Sequence, residues 1–511
     1  MNRFLELCIK NIFTFLITLT LIFSLLSPNL LLSGEYETPY TIVLIGLIFI
    51  FIVGIFFQKF RSIMKRIFVI HQLKTSLIFF IVAIIIQILF LYYLHPIIGF
   101  DAGAIHNALL TPQDSELRGY FSSNVNNIFP LMFQQLIVSI FHNSSWSFCE
   151  GVAVFMVDLS AVLNIGTILV INQNKLPLIC YIQGFWLLLY PMAIVPYTDN
   201  WVLPFVSSFI FLVSVFWSSN NSMIIKSFAS FISGIDLTFI YNMKPSAIVP
   251  AIAVFLMILL NLCFNSKNNK KLLFRSALFT FPFLIGFIPS FNLVKDQISH
   301  QKIIQILSGR EIPAIHFIQI GMSNEGGYNA HDALMMSILQ TKQQRVEYSN
   351  NRIHEELEKK GIGYVTFLIK KQGSNSSDGT FAWLREGHFI DQQVKYKLKG
   401  IHGFFSSFTM PKGANLHNYQ FLAQLWWISV VVILAFSWQA EGPIIQSLRL
   451  GIIGAFLYLL IFEGGRSRYI IQFLPMFLVM WSLVFGRTID TIKTCMLKLT
   501  TGTKSKKFFK K

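Results

Sequence analysis

Charge is scarce in this chain: Asp, Glu, Lys and Arg supply only 13% of its 511 residues, against 54% hydrophobic residues and a mean hydropathy of +0.59. Soluble domains carry about a quarter charged residues, so a chain wrapped in water on every side is excluded. Acids are the scarcer sign, 24 against 41 Lys and Arg, for a formal net charge of +17. Cysteine is sparse too. The five, at positions 8, 149, 180, 263 and 495, keep no metal or redox spacing, which argues against thiol chemistry. No aromatic-interleaved basic patch lies outside the flanks of apolar runs, so no nucleic-acid partner is expected. No small-residue cleavage site follows the first apolar run, so an uncleaved first helix is expected. No internal repeat marks the halves of a transporter.

What the chain has is long apolar runs. A hydrocarbon layer of roughly 30 Å needs about 18 to 20 residues of helix that satisfies its own backbone. Twelve segments qualify: 9–26, 41–57, 75–94, 146–171, 177–195, 201–217, 227–241, 246–264, 277–294, 421–438, 448–462 and 470–485. The stretch up to Ser144 is too short and amphipathic to count. The expected fold is therefore an all-α integral membrane bundle of about 12 transmembrane helices. Residues 1–294 form a transmembrane module with an external loop at about 95–127, and 295–420 form an extracytoplasmic domain of mixed charge. Residues 421–487 hold the last three spans and 488–511 a basic tail. Short loops rich in Lys and Arg stay cytoplasmic. Lys59, Arg61, Lys65 and Arg66, the group Lys267, Lys270, Lys271 and Arg275, and the tail Lys504 to Lys511 all fall on one side, which predicts a multi-pass cell-membrane protein with both termini cytoplasmic. The positive charge then serves topology and attraction to anionic membrane lipids.

Ionisable groups near membrane depth are costly and are kept facing a cavity or one another. By this topology most of them lie at the outer face. Asp101 follows the third span, with His106 one or two helical turns on and Asp114, Glu116, Tyr120, Asn126 and Asn127 beyond. The plain reading is an interfacial helix capped by Asp101. Asp199, in Tyr197-Thr198-Asp199-Asn200, either caps the sixth span or belongs to a site. Lys244 either snorkels to the interface or holds a phosphate as a point charge. Arg466 and Arg468, in Glu463-Gly-Gly-Arg466-Ser-Arg468-Tyr469, run against the inside preference for positive charge, and arginine suits bidentate phosphate contacts. Together these residues place carboxylates that accept a proton beside cations that hold an anionic leaving group.

On these residues the chain resembles the GT-C superfamily of polytopic glycosyltransferases, protein-mannosyltransferase-like and closest to a Gram-positive cell-envelope branch. The likeness rests on Asp101, Tyr120-Phe121, Asn126-Asn127, Tyr-Thr-Asp at 197–199, Lys244-Pro245, the stretch from Gly321 to Asp332, Asp378-Gly-Thr-Phe-Ala-Trp383, and Arg466-Ser-Arg468-Tyr469. The resemblance implies inverting transfer of a sugar from a polyprenyl-phosphate donor to an envelope polymer, lipid or protein, outside the membrane. Asp101 would be the general base. Tyr120, Asn126, Asn127 and Asp199 would bind donor or acceptor, and Lys244, Arg466 or Arg468 would neutralise the departing phosphate. A divalent cation, Mg or Mn, assists some relatives; no metal ligand is assigned here. Two alternatives stand beside this reading: a polymerase or ligase of lipid-linked oligosaccharide, and a flippase or transporter using Asp158, Asp236 and Lys244 as a path.

Overall fold

The computed structural model describes residues 3–30, 39–264, 269–384, 399–411 and 413–501. The loop holding Glu35 and Glu37, Lys267 of the second basic cluster, and the tail Lys504 to Lys511 lie outside the described residues. Among the described residues every regular element is helical.

The helices run α1 (Arg3–Leu25), α2 (Pro39–Phe56), α3 (Gln58–Lys65), α4 (Gln72–Tyr93), α5 (Phe100–Leu110), α6 (Ser115–Ser123) and α7 (Ile128–Phe141). Then come α8 (Trp146–Ile171), α9 (Leu176–Leu188), α10 (Thr198–Trp201), α11 (Leu203–Trp217), α12 (Met223–Met243), α13 (Val249–Phe264) and α14 (Asn269–Ser299). The intervening region holds α15 (Ala314–Met322), α16 (Ala330–Ile338), α17 (Lys342–Lys360), α18 (Gly363–Ser376) and α19 (Gly400–Thr409), and α20 (Leu416–Ala435), α21 (Pro443–Ile461) and α22 (Leu474–Thr501) close the bundle.

Ten of the expected spans are helical segments long and apolar enough to cross a membrane among the described residues. The other two positions hold α2, of 18 residues, and α9, of 13 residues, which a 3-10 turn at Pro191–Ile194 follows. The 31 residues of α14 give about 46 Å of helix, more than the hydrocarbon layer, so α14 continues past it. α12 packs against α14 and α11, and α11 against α8. The α12–α14 crossing depends on small residues: a side chain on Gly234 would run into the Phe283 carbonyl, and one on Gly286 into that of Phe231. Close backbone approach is how helices gain packing where lipid offers no hydrophobic drive.

Residues 295–420 hold the helices α15 to α19 joined by irregular segments such as 300–313 and 323–329, and they interlock with the bundle. The end of α18 wedges between α1, α20 and α21: Ser376 Oγ lies 2.9 Å from Thr20 Oγ1, Trp427 Nε1 donates to the Ser376 carbonyl at 2.7 Å, and Asn375 Nδ2 donates to the Leu459 carbonyl at 3.1 Å. Asn375-Ser-Ser-Asp-Gly reads as a turn or loop by composition, but Asn375 and Ser376 still belong to α18 and the turn begins after them. Gln424 of α20 satisfies the loop that follows, accepting from the Gly379 amide and donating to the Ser377 carbonyl. Irregular backbone beside spans is tolerated when protein buries and bonds it in this way.

Candidate functional site

Asp101 is not a cap. Gly99 holds the N-cap position of α5, and Phe100 sits in the left-handed region at φ 55°. A bulky residue there costs on the order of 1–3 kcal/mol and persists where its surroundings impose it. The consequence is that Asp101, in the first turn of α5, meets α6: Tyr120 donates its hydroxyl to Asp101 Oδ1 at 2.5 Å. Asn127 Nδ2 donates to the Tyr120 oxygen at 2.5 Å, and Asn126 Nδ2 to Asn127 Oδ1 at 3.2 Å. Burial, then the charge of Asp101, pushes the Tyr120 phenol well above its usual range. The phenol stays protonated and keeps Asp101 an acceptor. Among the described residues the second Asp101 oxygen has no hydrogen-bond partner.

His106 departs from expectation. Its position is five residues past Asp101, off the three- or four-residue spacing of one helix face, and its Nε2 meets the Ser144 carbonyl at 2.9 Å while its ring stands edge-on to Trp146. Trp146 Nε1 donates to Glu150 and to the Pro96 carbonyl, and Glu150 Oε2 lies 2.7 Å from His95 Nδ1. This cluster anchors the chain entering α5. Asp114 caps α6 by accepting from the Glu116 amide.

Asp199 also proves not to be a cap, since Tyr197 holds that position for α10. It is buried and pairs with Lys244 Nζ at 2.5 Å and with Arg468 Nε at 3.7 Å, so Lys244 does not snorkel. Asn200 fixes the turn that carries Asp199: it accepts from the Tyr190 hydroxyl and donates to the Met192 and Val195 carbonyls. Ser246 donates to Gln472, and Gln472 to the Tyr469 carbonyl, which ties the Lys244 turn to the Arg468 segment. The cations also rest on aromatic faces. Arg468 stands 4.4 Å from the Tyr197 ring centre and 5.1 Å from that of Tyr469, and Lys244 stands 5.5 Å from the latter. Arg466, half-buried, is the N-cap of the 3-10 turn Ser467–Phe473; the Asp199 contact belongs to Arg468.

Glu463 is the residue that sequence reasoning missed. Its Oε1 accepts the Tyr469 hydroxyl at 2.7 Å. Burial pushes its carboxyl up; the Tyr469 hydrogen bond and the charges of Arg468 and Lys244 oppose this, and the charge of Asp101 adds to it. Glu463 thus feels both halves of the site. The signal was present in Glu463-Gly-Gly, where an acid precedes the arginines at a span end.

The 321–332 stretch and the 378–383 motif close round the same place. The Gly464 amide donates to the Gly326 carbonyl, and Lys371 donates to the carbonyls of Gly321, Leu460 and Phe462. The Asp378 amide donates to Ser467 Oγ at 3.1 Å, between the two arginines, and Phe381 packs edge-on against Tyr190. A divalent cation does not fit this donor set. Asp199 is committed to two cations and Glu463 to Tyr469, and no group of three acid, His or Cys side chains is placed to hold an ion among the described residues.

A family model described as "conserved hypothetical integral membrane protein" matches residues 1–489. No curated protein and no solved structure matches the chain.

Proposed function

Starting from a chain that belongs to this family of conserved hypothetical integral membrane proteins, we propose an integral membrane glycosyltransferase of GT-C type. It moves a sugar from a polyprenyl-phosphate donor to an envelope polymer, lipid or protein at the outer face of the cell membrane, with both termini cytoplasmic. The acceptor hydroxyl gives its proton to Asp101 as its oxygen bonds to the anomeric carbon; the bond from that carbon to the phosphate oxygen breaks with inversion. The electron pair leaves on the polyprenyl phosphate, whose charge Lys244 and Arg468 hold. A base within reach of the acceptor and a leaving group already stabilised are the two terms such a displacement needs.

The observation that supports this reading is the buried pairing of Asp199 with Lys244 and Arg468, whose charges, like that of Asp101, act on Glu463. Asp199 holds Lys244 and Arg468 together, so that both cations would meet one phosphodiester. An apolar groove of about 560 Å³ supports a lipid carrier: it is lined by Leu237 of α12 and by Ile248, Ala251, Ile252, Phe255 and Leu259, starting four residues past Lys244.

The test is transfer by the purified chain from a polyprenyl-phosphate sugar. Asp101→Asn should lose transfer by about 10²- to 10⁴-fold, the worth of a positioned base, with insertion intact; full transfer would remove the base. A ladder of products in place of one added sugar would favour the polymerase. Asp158 and Asp236 each have a buried oxygen without a hydrogen-bond partner among the described residues, the observation that favours a transporter. Substrate uptake into vesicles, lost in an Asp158→Asn and Asp236→Asn variant, would select that reading instead.

A further inference from the structure

We infer that the site takes its phosphodiester together with one proton, carried on Glu463. This rests on the reading of Lys244 and Arg468 as the phosphate holders and adds a group that neither the resemblance nor the proposed chemistry assigns.

The geometry is a chain of contacts through one ring. Tyr469 holds Glu463 by its hydroxyl at 2.7 Å, and the same ring carries Lys244 at 5.5 Å and Arg468 at 5.1 Å from its centre. An anion seated on the two cations therefore lies about one aromatic ring from Glu463, in surroundings that screen charge poorly. The charges that act on Glu463 are those of Arg468, Lys244 and Asp101, and Glu463 acts in turn on Lys371 and Tyr458. With Asp199 included, the site sets three carboxyls against Lys244 and Arg468. Adding a fourth negative charge without compensation leaves like charges crowded in a buried space, and a nearby like charge favours the protonated form of a carboxyl. Asp199 is held by two cations, and Asp101 accepts from Tyr120. Glu463, whose carboxyl burial already pushes up, is the group that yields.

The sign follows by linkage. The arriving anion raises Glu463 further, so a proton is taken up where the solution pH lies above the empty-site value and below the occupied-site value. Across that window affinity falls by up to about tenfold per pH unit as pH rises; below it the proton is already present and affinity is flat.

The probe is farnesyl methyl phosphate, a phosphodiester whose single charge does not titrate near neutrality, bound to the full purified chain by calorimetry in buffers of different ionisation heat. Wild type should show a buffer-dependent heat equivalent to uptake of up to one proton. Glu463→Gln should bind the probe with that uptake gone. Tyr469→Phe, which removes the hydrogen bond favouring the ionised carboxyl, should move the uptake window to higher pH. Binding without buffer dependence at any pH across the neutral range overturns the inference while leaving the cation pair intact. So does uptake that persists in Glu463→Gln, since the proton then sits on another group such as Lys371. Absence of binding to wild type overturns the phosphate-holding reading and this inference with it.

Discussion

Asp199 is the residue whose loss should reach furthest. Its carboxylate lies 2% exposed between Lys244 and Arg468, and removing one partner of a buried ion arrangement leaves charge uncompensated at a cost of about 3–5 kcal/mol. Asp199→Asn should accordingly lower thermal stability in detergent by roughly that amount, whereas Asp101→Asn, at a half-buried carboxylate with one bonded oxygen, should leave the unfolding midpoint nearly unchanged. Equal midpoints for wild type and Asp199→Asn would contradict the buried arrangement. Several site residues were legible because acids and arginines are rare at span ends: Asp101, Asp199, Lys244 and Arg468 all stood out from apolar neighbours. Glu463 did not, because an acid before two glycines reads as a solvated turn until Tyr469 is seen to fold back on it. The direction of His106 was equally hidden, since spacing along one helix does not say which neighbouring chain supplies its partner.

At the scale of elements, the apolar runs specified the spans because lipid leaves a backbone few choices. The region between α14 and α20 was harder. The end of α18 looks like a loop in sequence and is bonded into the bundle through Thr20, Trp427 and Leu459. Packing partners far apart in the chain decided that stretch. The α12–α14 crossing offers a direct test: Gly234→Leu or Gly286→Leu places a side chain against a backbone carbonyl, and overpacking of this kind costs about 1–3 kcal/mol. A lowered unfolding midpoint is expected for each; an unchanged one would show that the helices do not approach so closely. The junction of α4 with α8 should respond to pH. The hydrogen bond to Glu150 raises His95 above its usual 6.5, so the stabilisation from protonated His95 is complete below about 6.5 and is lost as pH rises through the higher folded value. Midpoints of wild type and His95→Gln should converge as pH rises past the folded His95 value; a gap that widens there would reverse the assignment.

For the whole molecule, an apolar groove on α12 and α13, the Asp199, Lys244 and Arg468 pairing and the Tyr120 to Asp101 contact are carried by elements from α5 to the turn before α22. Chain segments far apart in sequence meet there, as Arg468 does with Asp199. That convergence separates binding from chemistry, and one measurement reads both: donor titration with single-turnover transfer in the purified chain. Asp101→Asn should bind the polyprenyl-phosphate sugar as wild type does and transfer it about 10²- to 10⁴-fold more slowly, while Arg468→Ala should need far more donor for whatever transfer remains. Undiminished transfer by Asp101→Asn, or donor dependence unchanged in Arg468→Ala, would contradict a single site built from these two halves.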